Sequence, residues 1–352
     1  MEAQIRQKAR ELGIAQCGII KADAMLDYGE RLRERMARIP QGEGLYRRFM
    51  GFADPRRAFP WAKSVVVTAC FYGHYHIPAA LLPHYGKYYL VDMRLNPASP
   101  EAKKVWAFEA YLHELGLRTA TEEQYGLTAL RWAAFKAGLG YIRRNNFFYT
   151  EKGSWFGLNA WIIDKELELI ETHHVRECPL HCSCCIRSCP TKSLFAPYTM
   201  NMATCISRLS TSNEALPYTD EVNRMMGTWL YGCDVCQNAC PMNQGTWEDR
   251  DRFPNLEEAA FRLMPEQILS MDYGDIRRLL SGKFFYIQGE SLWRWKLNAI
   301  NAMVNGFQDA YIPYLHKAKE DRFTIVQEKA RWALHTIAQM EPGAPAEAGG
   351  EP

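Results

Sequence analysis

A chain of 352 residues, 47% hydrophobic and 23% charged, has room for two or three packed units of an ordinary globular kind. Its formal net charge of +2 is too small to demand a nucleic-acid partner on charge alone. No run approaches the ~20 apolar residues of a membrane span, and the opening ten residues read as an amphipathic helix without the apolar core of a secretory signal, so a cytoplasmic protein with no membrane partner is expected.

In chain order, residues 1–22 predict a helix and then a short strand through Cys17. The Arg-rich stretch from Asp27 to Arg48 predicts helix, and Asp54-Pro55-Arg56-Arg57 a turn. The β-branched run from Ala62 to Cys70 predicts a central strand. Ser99-Pro100-Glu101 offers an N-cap, a proline at the first helical position and an early acid, so a helix should run to Leu115 and stop at Gly116. A strand near Arg118–Ala120, a helix from Leu127 to Ala137 closed by Gly138-Leu139-Gly140, and a strand from Trp155 to Ile163 complete an α/β or α+β unit over residues 1–175 around a buried sheet. Cysteine density marks a second unit over 176–248. From Pro254 to Met340 the pattern is helical, and residues 249–340 are expected to form a repeat-like array of short amphipathic helices. The tail 341–352 is rich in Gly, Pro, Ala and Glu and is expected to be disordered.

Nine of the eleven cysteines lie between Cys178 and Cys240. In a chain of this size such crowding points to metal rather than to disulfides. Cys17 and Cys70 stand alone in apolar runs and read as core thiols. The bacterial ferredoxin run is C-x2-C-x2-C-x3-C-P, whose fourth cysteine crosses to the other cluster. Cys182, Cys185 and Cys189-Pro190 fit its last three positions, and Cys233, Cys236 and Cys240-Pro241 echo the x2 and x3 spacing. Two [4Fe–4S] clusters are expected, one on Cys178, Cys182, Cys185 and Cys240, the other on Cys189, Cys205, Cys233 and Cys236. Cys178 stands one residue early for the motif, and Cys184 is surplus. The alternative is structural zinc on thiolates with His181.

Further segments carry a resemblance. Asp54 to Val67, Lys136-Ala137-Gly138-Leu139-Gly140, Gly153-Ser154-Trp155-Phe156, Ala196-Pro197-Tyr198, Cys205-Ile206-Ser207, Leu230 to Gln237, Arg294-Trp295-Lys296-Leu297-Asn298 and Ala330 to Leu334 resemble, in order and spacing, the epoxyqueuosine reductase family. The resemblance implies a nitroreductase-like domain binding cobalamin in base-off form, a ferredoxin-like double-cluster domain, and C-terminal HEAT-like helical repeats. It implies reduction of the epoxide of a modified tRNA base, with electrons supplied by a flavodoxin or ferredoxin type of donor. By position, Arg56, Gly153 and Ser154 match segments that line the corrin. Reductive dehalogenases share the core, so a cobalamin-dependent reductase of a small molecule is an alternative. A carrier that reduces a partner's corrinoid is another.

Two positions depart from the family pattern. Where the family has an acidic proton donor before the arginine of the helix ending in Ala-Gly-Leu-Gly, this chain has Leu130 before Arg131, and its Gly-Lys pair is replaced by Arg143-Arg144. Opening an epoxide by reduction leaves an oxyanion that needs an acid. Tyr125, just upstream and open to support from Arg131 or Arg144, is the candidate donor. The basic bias of Lys317, Lys319, Arg322, Lys329 and Arg331 would suit a phosphate backbone, but it is interleaved with acids. The aromatics from Phe284 to Trp295 read as core.

Overall fold

The β-branched run does form the central strand of a sheet. In the computed structural model, which describes residues 1–91, 99–122, 126–214 and 219–340, Ser64–Phe71 is flanked by Gln16–Lys21 on one side and Phe156–Ile163 on the other, with Thr119–Ala120 beyond. Every pairing is antiparallel, running Gln16↔Ala69 to Lys21↔Ser64, Ser64↔Ile163 to Phe71↔Phe156, and Thr119↔Ile163. The architecture is therefore a mixture of helices and an antiparallel sheet. Tyr125 and the 341–352 tail lie outside the described residues.

The chain divides into two compact units: Met1–Tyr75, Val91–Ala203 and Val235–Asp251 form one, and His76–Leu90, Thr204–Asp234 and Arg252–Pro352 the other. Each unit is assembled from three separate segments of the chain.

In the first unit Val65, Val67, Ala69 and Ile162 meet Ala133, Ala134 and Ala137 of the helix Leu130–Lys136. Small residues on that helix let it lie close to the sheet. The helix is shorter than expected from Leu127, since Gly126 holds a positive φ of 74° and Ala129 supplies no side-chain cap. It ends at Gly138, whose φ is +72° and where a Cβ would fall 1.8 Å from the Glu171 carbonyl oxygen; only glycine fits. The Arg-rich stretch breaks in two, Asp27–Arg38 and Glu43–Arg48, because Pro40 bars helix at the residue before it. Cys17 and Cys70 are buried in the sheet, and burial pushes both thiols up to about 12, as befits core residues.

Ser99 caps the helix Pro100–Glu114 by accepting from the Ala102 N–H. Glu101, expected merely as an early acid, is buried. It accepts from the Tyr75 hydroxyl and pairs with His74 Nε2 (3.6 Å) and Lys104 Nζ (3.4 Å), while His74 Nδ1 meets Asp251 at 2.9 Å.

The second unit is built on the helix Trp293–Asn305, buried almost along its whole length. Trp295 stacks on Tyr231 (centroids 5.2 Å apart, 12° between planes) and meets Phe284 edge-on at 5.2 Å. These aromatics are core, as the sequence indicates. Polar residues of the same helix are buried too, and three of them donate to backbone carbonyls. Asn298 Nδ2 donates to Ser210 and Leu230 O (both 2.8 Å), Arg294 Nε to Ser212 O (3.1 Å), and Asn301 Nδ2 to Asn223 O (3.0 Å). Of the basic residues near the C-terminus, Arg322 lies over the Tyr273 ring at 4.3 Å and Lys329 over Trp332 at 3.4 Å. Burial lowers the Lys329 ammonium to about 7. Part of that basic bias is therefore structural.

Candidate iron–sulfur site

Cys182 lies in a turn closed by its own N–H donating to Pro179 O (2.9 Å), and the short helix Cys184–Ser188 follows directly. Cys240, at the far end of the second motif, is buried in the first unit against Tyr149 and Val175. The two motifs meet there. Burial first, then the neighbouring thiols of Cys240, Cys178 and Cys182, push the Cys185 thiol up to about 11. Those four cysteines are the set that spacing assigns to one cluster. Cys184 is raised by burial and then by a hydrogen bond with Cys182, and has no other thiol neighbour of that weight. Among the described residues no three cysteine, histidine or carboxylate side chains are gathered around a single metal-ion position; a cubane instead spreads its four thiolates over separate corners.

Of the other four expected ligands, Cys189 has its thiol 3.9 Å from the Thr191 hydroxyl, and Cys236 lies in the turn Val235–Asn238, both in the first unit. Cys205 stands at the residue before the helix Ile206–Thr211, and Cys233 packs against the cluster of Ile206, Leu209 and Met226, both in the second.

The cysteine loops are held by residues that spacing alone does not single out. Arg144 donates to the carbonyls of Cys182 (2.5 Å) and Leu180 (2.7 Å), and buried Arg143 donates to Arg176 O (2.6 Å). Arg144 thereby braces the first loop and Arg143 the residue just before it; Tyr125, for which the sequence offers Arg131 or Arg144 as support, lies outside the described residues. Arg131 donates to Asn146 O. Asn145 Nδ2 donates to the Tyr149 hydroxyl (2.8 Å) and to Cys236 O (3.1 Å). Burial and then the Cys240 thiol raise Tyr149 well above the usual phenol range.

Gly153 and Ser154 are part of this scaffold. Ser154 N donates to Asn243 Oδ1, Ser154 Oγ to Gln237 Oε1, and Asn243 Nδ2 back to Ser154 Oγ, each at 2.8 Å. A Cβ at Gly153 would meet Asn243 Oδ1 at 2.5 Å. Their polar groups are spent inside the protein, which leaves only backbone shape to offer a macrocycle. Arg56 differs: it lies on the turn Pro55–Arg57, part-exposed, its Nε 2.8 Å from Asp54 Oδ1. That hydrogen bond holds the Asp54 carboxyl below its ordinary value. Leu130, half-buried, lines a small cavity of about 20 Å³ with Glu109, Glu122, Gly126 and Asn159, enough for about one water. Glu122 is fixed there by accepting from the Gly126 N–H at 2.9 Å.

Residues 178–243 match a family model described as a 4Fe-4S double cluster binding domain. The epoxyqueuosine reductase of Leadbetterella byssophila is 31% identical over 252 residues, covering 68% of this chain and 79% of its own. That of Xanthomonas campestris is 26% identical over 354 residues, covering 94% of this chain and 95% of its own. An epoxyqueuosine reductase solved with an epoxyqueuosine-modified tRNA-Tyr stem loop shares the fold with a TM-score of 0.74, at 23% identity over 95% of this chain and 89% of that one. The Streptococcus thermophilus enzyme gives the same TM-score at 24% identity, over 99% and 92%. Among the described residues no helix is long and apolar enough to cross a membrane. Fold, cysteine framework and relatives agree: the chain belongs to the epoxyqueuosine reductase family of iron–sulfur oxidoreductases.

Proposed function

We propose that this chain reduces the epoxide of epoxyqueuosine in tRNA, using two [4Fe–4S] clusters and a bound cobalamin. The observation that carries the reading is the approach of Cys178, Cys182, Cys185 and Cys240 from two distant motifs, within a fold that aligns over its whole length with epoxyqueuosine reductases. An all-thiol donor set of this kind suits a cubane. Cys189, Cys205, Cys233 and Cys236 are assigned to the second cluster on spacing. The sheet-bearing region is taken as nitroreductase-like and the helices after residue 254 as HEAT-like, with residues 1–175, 176–248 and 249–340 as functional regions.

Cobalamin, when bound, would supply the nucleophilic metal centre. The residues fit it in part: exposed Arg56 keeps donors for its polar substituents, whereas Gly153 and Ser154 would shape the wall behind. The chain's own task is to hold the substrate, exclude water and deliver a proton to the opened oxygen. Leu130 cannot do so. Glu122, lining the same cavity as Leu130, and Tyr125 upstream are the groups for that role. A small-molecule reductase would not account for relatives named for a tRNA base that match 68% and 94% of the chain.

The test is anaerobic incubation of the reconstituted, cobalamin-loaded protein with an epoxyqueuosine-containing stem loop and a strong reductant, followed by mass analysis of the nucleosides. Conversion to queuosine supports the reading. Intact epoxide alongside full iron and corrin content would overturn it.

A further inference from the structure

Around the first cysteine loop the surface is apolar where a cluster-bearing loop has no folding reason to be. Leu180, between Cys178 and Cys182, is 79% exposed; Phe195 is 50% and Tyr198 37% exposed. Hydrogen bonds through Arg144 link the segments that carry these three. Phe195 and Tyr198 lie on the hairpin Leu194–Ala196 and Thr199–Met200. Arg144 joins hairpin to loop: its guanidinium binds the Leu180 and Cys182 carbonyls, and its own carbonyl accepts from the Tyr198 N–H at 2.9 Å. Tyr198 holds a φ of 59°, a region unfavourable for an aromatic side chain, with its ring part-exposed and its hydroxyl hydrogen-bonded to Tyr141. Exposed apolar groups brought together in this way mark contact sites.

The charged residues of this stretch are mainly cationic. From Cys178 to Ala203 there is no aspartate or glutamate, while Arg187 and Lys192 are exposed and Arg176 precedes the loop; Glu177 is the one acid at its edge. An apolar centre with a cationic rim suits a small, transient contact with an acidic protein. The backbone of the loop carries Cys182, so a carrier seated here stands next to the cluster. RNA bases could stack on Phe195 and Tyr198, so the stem loop is the competing occupant that the experiment below must separate.

We propose that Leu180, Phe195 and Tyr198, ringed by Arg144, Arg187 and Lys192, form the docking face for an acidic, low-potential one-electron carrier of the flavodoxin class. This rests on the cluster reading above. In each encounter the carrier's hydroquinone loses one electron and one cluster gains it; the two-electron reduction of an epoxide needs two encounters.

The test is anaerobic stopped-flow reduction of the cluster-loaded full chain by a photoreduced flavodoxin, with dithionite as a small reductant that needs no docking. Leu180→Glu should slow reduction by flavodoxin about tenfold at low salt. Added salt should slow the parent protein in the same assay, and dithionite rates and iron content should be unchanged. Phe195→Glu, away from the cysteines, should behave alike and covers the case in which Leu180→Glu disturbs cluster assembly. Unaltered flavodoxin rates at full iron content would overturn the assignment. So would weakened stem-loop binding at unaltered flavodoxin rates, which would give the face to RNA. A parent chain that takes up no iron would overturn the cluster reading, and this one with it.

Discussion

Glu101→Gln removes a buried charge while keeping the side chain's shape and an acceptor for the Tyr75 hydroxyl. Burial by itself would raise the Glu101 carboxyl, but hydrogen bonds from His74 and Tyr75 and the Lys104 ammonium outweigh it and hold the group at about 2. Against an ordinary 4.5 this is worth about 3 kcal/mol. Because His74 and Lys104 keep some solvent, about 2 kcal/mol is expected from the substitution, or a fall of about 4–8 °C in the unfolding midpoint of the sheet-bearing unit. The pH dependence has a definite sign. Glu101 is depressed, so its contribution is present above about 4.5 and is lost as pH falls towards about 2. His74 is raised, first by its hydrogen bond to Glu101, so its share is present below about 6.5 and is lost as pH climbs through the raised value. The parent-minus-variant difference should therefore peak between about pH 4.5 and 6.5 and shrink on both sides. Thermal unfolding of both proteins at matched pH, followed by circular dichroism, measures it. A difference under ~0.5 kcal/mol at about pH 5.5, or one that grows towards alkaline pH, would refute the reasoning.

Serine at Cys178, Cys185 or Cys240 should cost about half the bound iron, since each removes a corner of one of two clusters, whereas Cys184→Ser should retain it; iron analysis of reconstituted protein decides, and iron loss confined to Cys184→Ser would reverse the assignment. Gly138→Ala should destabilise by about 3 kcal/mol, because the new Cβ would strike the Glu171 carbonyl at 1.8 Å with φ at +72°, and denaturant unfolding reads it. Glu122→Gln and Tyr125→Phe separate the two proton donors: the true donor's loss should slow single-turnover epoxide reduction by about a hundredfold, with stem-loop affinity unchanged.

Regular elements were readable wherever one local rule acted alone. Ser99 and Pro100 start their helix as expected, and the valines of residues 65–67 form a strand buried on both faces. The cysteine spacing likewise pairs Cys185 with Cys178, Cys182 and Cys240, the thiols whose charge Cys185 feels in the fold. What escaped the sequence is polar burial. Arg294, Asn298 and Asn301 look like one wet stripe of an amphipathic helix, yet they are buried because carbonyls distant in the chain accept from them. No periodicity reports such a partner. Glu101 escaped for the same reason: an acid in a first turn is sufficiently explained by the helix dipole, which hides its pairing with His74.

Arg143 and Arg144 show how a departure from a family pattern becomes intelligible once its partners are known. Beside Leu130 they read as a second weakening of the site. In place, Arg144 spends its guanidinium on two carbonyls of the first cysteine loop, a fixed fork that a lysine's single ammonium could not reproduce, and Arg143 donates to the Arg176 carbonyl just before it. A loop that must keep thiolates around a cluster gains stiffness from such struts without adding a thiol. Positive charge near this loop would favour the reduced, more negative form of a cluster held there. Scaffold and electron acceptance would thus come from the same pair. Leu130 has no comparable compensation in its own contacts, and the missing acid must be sought in a neighbouring side chain, of which Glu122 is already held at the cavity wall.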